Sequence, residues 1–394
     1  MSVLTPSTLV GARSPIYITA NYSALAGSIT DITLEVYIWN AARGSRPADP
    51  AYTLFRDVFA GTDVSFDIAP MVEEYIVNNY SATEVTAAQA SIDGGIWWVQ
   101  VDYGVNYINK ATPPQTVNDT GSSDIFYSSN GYHTFTEGAN YEYPADYLHT
   151  IERFYVKETN GSETVKAHLG NYGLDEIFFV AYVASDGTAF TIDISSLHTS
   201  TQPEGRVVEI PIGTNNLSAW LIANGSTATS PTEADIPTYR IDLLDDGMAL
   251  LYSINVEKVC EAKYTLNTLS YINRYGVWDY IHFFKASQDN FNATSEQYRR
   301  SIGSSSASGF TYDATQERYK RFNANGKTRT TLNTGWVVEE YKEAIKDLML
   351  SERMLLNGVP VNIVTESVTL QKSINDRTIN YTIEVEEAFD TRYV

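Results

Sequence analysis

Apolar and polar side chains alternate with a period of two along much of this chain, and no other feature of the sequence constrains its fold as strongly. Leu34, Val36 and Ile38 occupy every second position of one segment, and residues 379–385 repeat the pattern near the C-terminus. Successive side chains of a β-strand point to opposite faces of the sheet, so this alternation is typical of half-buried strands. The sequence therefore predicts a mainly β fold, built of multi-domain β-sandwich-like modules with a few short helices.

Turn signals and shifts in composition divide the 394 residues into three predicted domains. At roughly 100–200 residues per domain, a chain of this length accommodates about two to four domains. We predict an N-terminal β domain with a short helical insertion at 71–78, an acidic β-rich middle domain with a hairpin at Asp186-Gly187, and a C-terminal α+β domain. The predicted domain bounds are 1–110, 111–250 and 251–394.

The C-terminal domain carries the clearest helical signal. Apolar residues at helical spacing predict a helix over 337–350, with Thr334 and Gly335 as cap residues. Residues 301–309, with the sequence SIGSSSASG, lack a core-forming pattern and are predicted to form a long loop or the end of a strand. The strands of a β-hairpin are predicted after the helix, at residues 361–370 and 378–386, with Asn375-Asp376 in the turn.

The formal net charge of −21 is unevenly distributed. Residues 1–250 carry 30 acidic and 10 basic side chains, whereas residues 251–394 carry 18 and 17. An acidic surface repels phosphate groups and anionic lipid, so nucleic acid is a disfavoured partner. No apolar run reaches the ~20 residues that a membrane-spanning helix needs, so no membrane span is expected.

The single cysteine, Cys260, excludes an intrachain disulfide. The first residues lack the basic segment and apolar core of a signal peptide. These features favour synthesis in a bacterial-type cytosol.

The sequence contains no recognisable catalytic, cofactor or metal motif. Gly326-Lys327-Thr328 resembles the end of a phosphate-binding loop, but Arg321 stands where that motif requires glycine. A Gly-x-Ser-x-Gly elbow is absent as well. We therefore expect no enzyme, no catalytic residues, no cofactor and no metal site. A glycoside hydrolase with two facing carboxylates stays open, because such residues come from distant positions. The five histidines are His133, His149, His168, His198 and His282. No two of them have the spacing of metal ligands on one element.

Residues 299–329 form a basic segment interleaved with aromatic residues. This segment holds seven basic and only two acidic side chains. Such a pattern suits either nucleic acid or the acidic surface of a neighbouring subunit. We favour the second, because the acidic part of the same chain then supplies the partner. The candidate subunit-interface residues are Arg299, Arg300, Arg318, Lys320, Arg321, Lys327, Arg329, Tyr312 and Tyr319.

About half of the chain resembles tail structural proteins of phages that infect Bacteroidetes-type bacteria, crAss-like phages among them. The resemblance is strongest in residues 250–394 and absent from 111–250. The segments that carry it are EKVCEAKY (257–264), YINRYGVWD (271–279), LSE (350–352), VPVNI (359–363), NDR (375–377) and NYTIE (380–384), with IWN (38–40) and IAP (68–70) near the N-terminus.

This resemblance implies a structural virion protein, a ring, collar or tail-tip component that assembles with other copies of itself and with other tail proteins. It implies synthesis in the host bacterial cytoplasm and assembly into the virion tail, and it transfers no catalytic residues. Ring assembly needs two complementary surfaces on each subunit, which the acidic region and the basic segment can provide. The alternative is a carbohydrate- or host-receptor-binding module at the tail periphery, with polysaccharide as the partner.

Overall fold

A computed structural model describes most of the chain and divides it into two units. The described residues are 2–22, 27–41, 43–58, 63–76, 86–90, 95–109, 113, 115–143, 148–151, 153–157, 166–170, 177–197, 207–227, 230–233, 235–259, 263–313, 315–369 and 378–392. Unit 1 comprises Met1–Glu261, Tyr271–Tyr280 and Glu340–Glu352. Unit 2 comprises Ala262–Ser270, Ile281–Glu339 and Arg353–Val394. The predicted division into three domains stays a prediction.

Unit 1 begins with two sheets that confirm the predicted mainly β, sandwich-like fold. Their elements are β1 (Ser2–Leu4), β2 (Leu9–Gly11), β3 (Tyr17–Asn21), β4 (Gly27–Trp39), β5 (Tyr52–Asp57), β6 (Asp63–Asp67), α1 (Ala69–Tyr75), β7 (Gln89–Ala90), β8 (Ile96–Asn109), β9 (Thr116–Ser122) and β10 (Phe126–Ser129). One sheet has the order β1-β3-β6. The other has the order β2-β10-β8-β4-β5, and β9 also pairs with β8.

The two sheets share one apolar core. Ile18 from β3 and Phe66 from β6 are buried with Leu34 and Val101 from the larger sheet. Helix α1 adds Val72 to the same core and carries Pro70 in its first turn, where no backbone N–H is needed. The alternation seen in the sequence therefore marks the faces that meet between the sheets.

The rest of unit 1 adds two more sheets. Their elements are β11 (Arg153–Lys157), β12 (Lys166–Gly170), β13 (Phe179–Ala184), β14 (Ala189–Asp193), a 3-10 turn (Ser195–Leu197), β15 (Val207–Pro211), α2 (Thr214–Ala223), β16 (Thr238–Leu244) and β17 (Leu250–Val259). The strand orders are β11-β17-β16-β13-β14 and β12-β15-β7. The hairpin at Asp186-Gly187 is confirmed, since β13 pairs with β14 and Gly187 has a φ of +89°. Helix α2 was not predicted.

Unit 2 is built mainly on a seven-stranded sheet. The remaining elements of the chain are β18 (Asn267–Ile272), β19 (Trp278–Phe283), β20 (Gln288–Arg299), β21 (Gly303–Ser306), β22 (Gly309–Tyr312), β23 (Tyr319–Val338), a 3-10 turn (Glu339–Tyr341), α3 (Lys342–Leu350), β24 (Met354–Leu356), β25 (Val359–Ile363) and β26 (Thr378–Glu387). The sheet has the order β19-β18-β24-β25-β26-β23-β20. Strand β18 is divided between the units after Ser270, and β19 after Tyr280. Helix α3 belongs to unit 1.

The predicted start of the C-terminal helix and its predicted cap residues were wrong. The helix begins at Lys342 rather than at 337, because Val337 and Val338 extend β23 by pairing with Ile379 and Thr378 of β26. Gly335 has a φ of +72° at an irregularity of that ladder, so it and Thr334 belong to a strand rather than to a helix cap.

The segment 301–309 forms part of a small hairpin rather than a long loop. Residues 303–306 lie in β21 and residue 309 begins β22, which pair antiparallel with Ser305 opposite Phe310, so the interpretation as part of a strand is the correct one. The predicted hairpin near the C-terminus is confirmed in its pairing, since Ile363 of β25 lies opposite Val385 of β26. Its first strand ends at Ile363 rather than at 370, and the predicted turn at Asn375-Asp376 lies outside the described residues.

Candidate functional site

Strands β20 and β23 form a long hairpin whose tip is the small hairpin β21–β22. We call β20, the tip and residues 319–331 of β23 the arm. Every residue of β20 is exposed, and so are residues 319–323 of β23. At about 3.3 Å per residue, the twelve residues of β20 span about 40 Å. A backbone hydrogen bond of 2.9 Å from the Arg300 N–H to the Arg318 carbonyl continues the ladder toward the tip. The sequence segment 299–329 therefore belongs to a hairpin whose outer part, up to residue 323, is exposed on both faces, whereas residues 324–329 are half-buried or buried.

The pairing register divides the basic and aromatic residues between two faces of the arm. Arg299 lies opposite Tyr319 and Gln297 opposite Arg321, so both arginines share one face. Tyr298 lies opposite Lys320, which places Lys320 on the other face. We call these the Arg299 face and the Tyr298 face. Directly opposed residues of an antiparallel pair point to the same side of the sheet, which is why the register settles the faces.

The candidate interface residues differ in their ionic partners. Arg329 lies 3.1 Å from Glu386, and Lys327 lies 3.8 Å from the same residue and 3.9 Å from Asp390. These two cations are neutralised within their own unit. Arg300 donates a hydrogen bond to the side chain of Gln316. The remaining cations form no ion pair with any described residue; they are Arg299, Arg318, Lys320 and Arg321.

Aromatic rings cover parts of the arm while staying exposed to solvent. The rings of Tyr298 and Phe322 pack edge to face with centroids 5.4 Å apart. The Phe310 ring lies over Gly303 so closely that a Cβ there would approach it to 2.0 Å. Phe310, Tyr312 and Tyr319 are 72%, 69% and 62% exposed. Exposed apolar patches of this kind are typical of contact sites.

An irregularity in β23 shapes the arm. Thr294 pairs with Asn325 and Glu296 with Phe322, so three residue steps of β23 oppose two of β20. The extra residue lies in β23 at Asn323, whose φ of +46° is left-handed. Asparagine tolerates that conformation better than most residues. Strand β20 keeps an uninterrupted alternation along its whole length.

A buried histidine–carboxylate pair in unit 1 was missed by the sequence analysis. His149 Nδ1 bonds to the carboxylate of Asp279, and both side chains are fully buried. Asn273 donates a hydrogen bond of 3.0 Å to that carboxylate, and Thr150 donates two. Burial acts to raise the pKa of Asp279, but His149 and these hydrogen bonds outweigh it and hold the pKa below its ordinary value. The pair lies away from solvent.

The other histidines show no common site. His282 is buried in β19, and His133 accompanies Tyr141 with ring centroids 6.3 Å apart. The side chain of His168 and all of His198 lie outside the described residues, as does Cys260. Among the residues that the structure describes, no group of three or more His, Cys, Asp or Glu side chains is placed to hold a metal ion.

Several open clefts lie in the described part of the chain. One cleft of about 360 Å³ lies on the outer face of β8 and β9, where Glu35, Asp102 and Asn118 line it. Another of about 250 Å³ lies in unit 2, lined by Asp289, Thr330 and Glu387 among others. Within the described residues, no helix has the length and apolar character needed to cross a membrane.

Comparisons with known proteins do not define a family for this chain. No protein-family model matches it, and neither does any curated protein. One similar solved structure, CBD12 from CALX1.2, is 8% identical over 60% of this chain and 76% of that chain, with a TM-score of 0.16. Another, a Ca2+-stabilised adhesin that helps an Antarctic bacterium reach out and bind ice, is 9% identical over 98% of this chain and 97% of that chain, with a TM-score of 0.18. Scores this low carry no functional argument.

Proposed function

We propose that this chain is a structural protein of a bacteriophage tail, a ring, collar or tail-tip component that assembles through subunit–subunit contacts. One observation carries the proposal. The arm exposes on both of its faces aromatic rings, and cations that form no ion pair with the described residues, on a chain whose net charge is −21. An exposed arm of this composition has no role in the core of its own unit and is suited to a neighbouring subunit. The sequence segments that resemble phage tail proteins are the reason why we propose a phage tail as the assembly.

Charge supports a second subunit as the partner of the arm. Residues 1–250 have 20 more acidic than basic side chains, whereas Arg299, Arg318, Lys320 and Arg321 lack ion pairs with described residues. Opposite potentials on two surfaces raise the rate of encounter and select the register of the contact. The same acidity disfavours nucleic acid. In this proposal the chain is made in the host cytoplasm, holds no catalytic site or cofactor, and functions by assembling.

The alternative function is a carbohydrate- or receptor-binding module at the tail periphery. Such a module presents aromatic side chains along a concave groove, where they stack on sugar rings. The exposed aromatic rings Phe310, Tyr312 and Tyr319 instead lie on a projecting hairpin. The largest ring at the cleft beside β9, Tyr103, packs against the sandwich core. These placements favour a subunit contact over a sugar site.

The test is a triple charge reversal, Arg318→Glu with Lys320→Glu and Arg321→Glu. We expect the wild-type protein to form a closed multimer, or to enter large particles in lysate from phage-infected cells, when followed by mass photometry. The variant is expected neither to close the multimer nor to enter the particles, with an unchanged circular dichroism spectrum, because these side chains are exposed and make no ion pairs with described residues.

The matched control reverses three exposed cations outside the arm, Arg43→Glu with Lys263→Glu and Lys346→Glu, for the same change in net charge. This control is expected to assemble. Assembly of the arm variant at the wild-type level would exclude the arm as the contact. A wild-type protein that stays monomeric and ignores the particles would overturn the structural role itself.

A further inference from the structure

The free edge of β20 offers a second kind of contact, through the backbone. Strand β20 is the last strand of the seven-stranded sheet, so its outer edge pairs with no described strand. All twelve of its residues are exposed. An unpaired edge presents a row of N–H and C=O groups that can add a further strand.

This edge lacks several of the usual protections against strand addition. Natural edge strands are blocked by charged side chains, Lys above all, by Pro, by a bulge or by an overlying segment, and β20 carries only three charged residues, Asp289, Glu296 and Arg299. Residues 288–299 contain neither Pro nor Lys, and the extra residue of the arm lies in β23. Because β20 is long and regular, its outer edge is suited to pairing with another strand.

The charges of β20 select its partner. In an antiparallel pair of two β20 strands with the twofold axis at Thr294, Asp289 of each copy lies opposite Arg299 of the other. Shifting the axis so that Asp289 meets Glu296 opposes like charges instead. The register at Thr294 overlaps eleven of the twelve residues, pairs Asp289 with Arg299 and leaves Glu296 opposite the neutral Asn292. Neither Asp289 nor Arg299 has an ion pair with a described residue, and Asp289 only accepts a 2.7 Å hydrogen bond from Thr330.

Aromatic placement agrees with the same register. Phe291 is 59% exposed and lies over Gly326, on the face that also carries Asp289 and Arg299. In this pairing Phe291 is opposite Gln297 and diagonal to Arg299 of the other copy. A guanidinium so placed reaches both a carboxylate and an aromatic ring.

We infer that β20 pairs antiparallel with β20 of a second copy, in the register centred on Thr294, so that the sheet of unit 2 continues from one subunit into the next. This inference rests on the proposed function, since it assigns one of the self-contacts of the assembly. The contact is isologous, and the charged and aromatic faces of the arm stay available for a different neighbour.

Cysteine cross-linking tests the register. Directly opposed Cα atoms in an antiparallel pair lie about 4.5–5.5 Å apart, within the range that a disulfide spans. In a Cys260→Ser background, Thr294→Cys is therefore expected to give covalent dimers on mild oxidation. Ser295→Cys is the matched control, because in this register it faces Ala293 rather than itself. A mixture of the Ser295→Cys and Ala293→Cys chains is expected to form the mixed dimer. Equal cross-linking of Thr294→Cys and Ser295→Cys alone would overturn the register.

A charge swap tests the same pairing without covalent chemistry. Arg299→Asp puts two carboxylates opposite each other at both ends of the pair, and the dimer is expected to dissociate about tenfold more readily in sedimentation velocity. Adding Asp289→Arg restores opposite charges and is expected to restore the dimer. A double variant as weak as the single one contradicts the inference.

The two proposals fail separately. Entry into large particles without β20 cross-linking would exclude the β20 contact and leave the proposed function standing. A chain that neither dimerises nor enters particles would remove both.

Discussion

The ionisation of His282 depends on its surroundings in unit 2. Its Nδ1 lies 3.0 Å from the Thr268 hydroxyl, while Nε2 is buried without a hydrogen-bond partner among the described residues. Burial lowers its pKa to about 4. The neutral ring is therefore the folded form over the whole range above that pH.

This depressed pKa predicts a loss of stability in mild acid. Below a pH of about 6.5 the unfolded chain binds a proton at His282 and the folded chain does not, so the free energy of unfolding falls as the pH is lowered. The fall ends near pH 4 and amounts to about 3 kcal/mol at most. Urea denaturation between pH 7 and pH 4 measures it, with His282→Phe for comparison. An equally steep dependence in that variant would show that other groups cause it.

Single residues also mark the limit of inference from the sequence. His149 and Asp279 are 130 positions apart, and nothing in the surrounding patterns links them. Their pairing depends on which segments meet in unit 1, a property of topology rather than of local spacing. Lys327 and Arg329 show the same limit. The sequence groups them with the other cations of the segment 299–329, but in the fold they form ion pairs with Glu386.

At the level of elements, the bulge in β23 makes a local prediction. Asn323→Val puts a β-branched residue into the left-handed region and is expected to destabilise the arm by about 1–3 kcal/mol. Asn323→Gly is expected to be tolerated, because glycine adopts that conformation without strain. Hydrogen exchange of the amides of β20 reports the difference. Equal protection of these amides from exchange in the two variants would mean that the stability of the arm does not depend on the bulge at Asn323.

Alternation predicted strands well and boundaries less well. Ile379, Tyr381 and Ile383 are all buried, as their spacing predicts. Val337 and Val338 fit a strand and a helix equally, and the ladder with β26 decides between them. Residues 301–309 lack an apolar pattern, yet they pair because the hairpin of β20 and β23 brings the two chain segments together. Pairing of this kind depends on neighbouring strands and cannot be predicted from the local sequence.

At the level of the whole molecule, uneven charge predicts salt-sensitive assembly. The Debye length shortens from about 10 Å at 0.1 M salt to about 3 Å at 1 M, which screens attraction between exposed charges. We expect the association constant to fall by roughly tenfold between 0.05 and 0.5 M NaCl. Light scattering at several salt concentrations measures it, with the variant carrying Arg318→Glu, Lys320→Glu and Arg321→Glu as the reference. Assembly that strengthens with salt would point to an apolar contact instead.

Unit 1 includes a segment that is synthesised after the arm, so unit 1 cannot finish folding until the arm has been made. Its last segment, Glu340–Glu352, contains α3, whose Ile345 and Leu348 are fully buried. Chains emerge from the ribosome N-terminus first. The residues of the arm, 288–331, therefore leave the ribosome while unit 1 still lacks its final helix. An arm that held its partner tightly at that moment would tie unfinished chains together. The timing favours a contact that is weak between two chains and becomes strong only when an assembly repeats it many times.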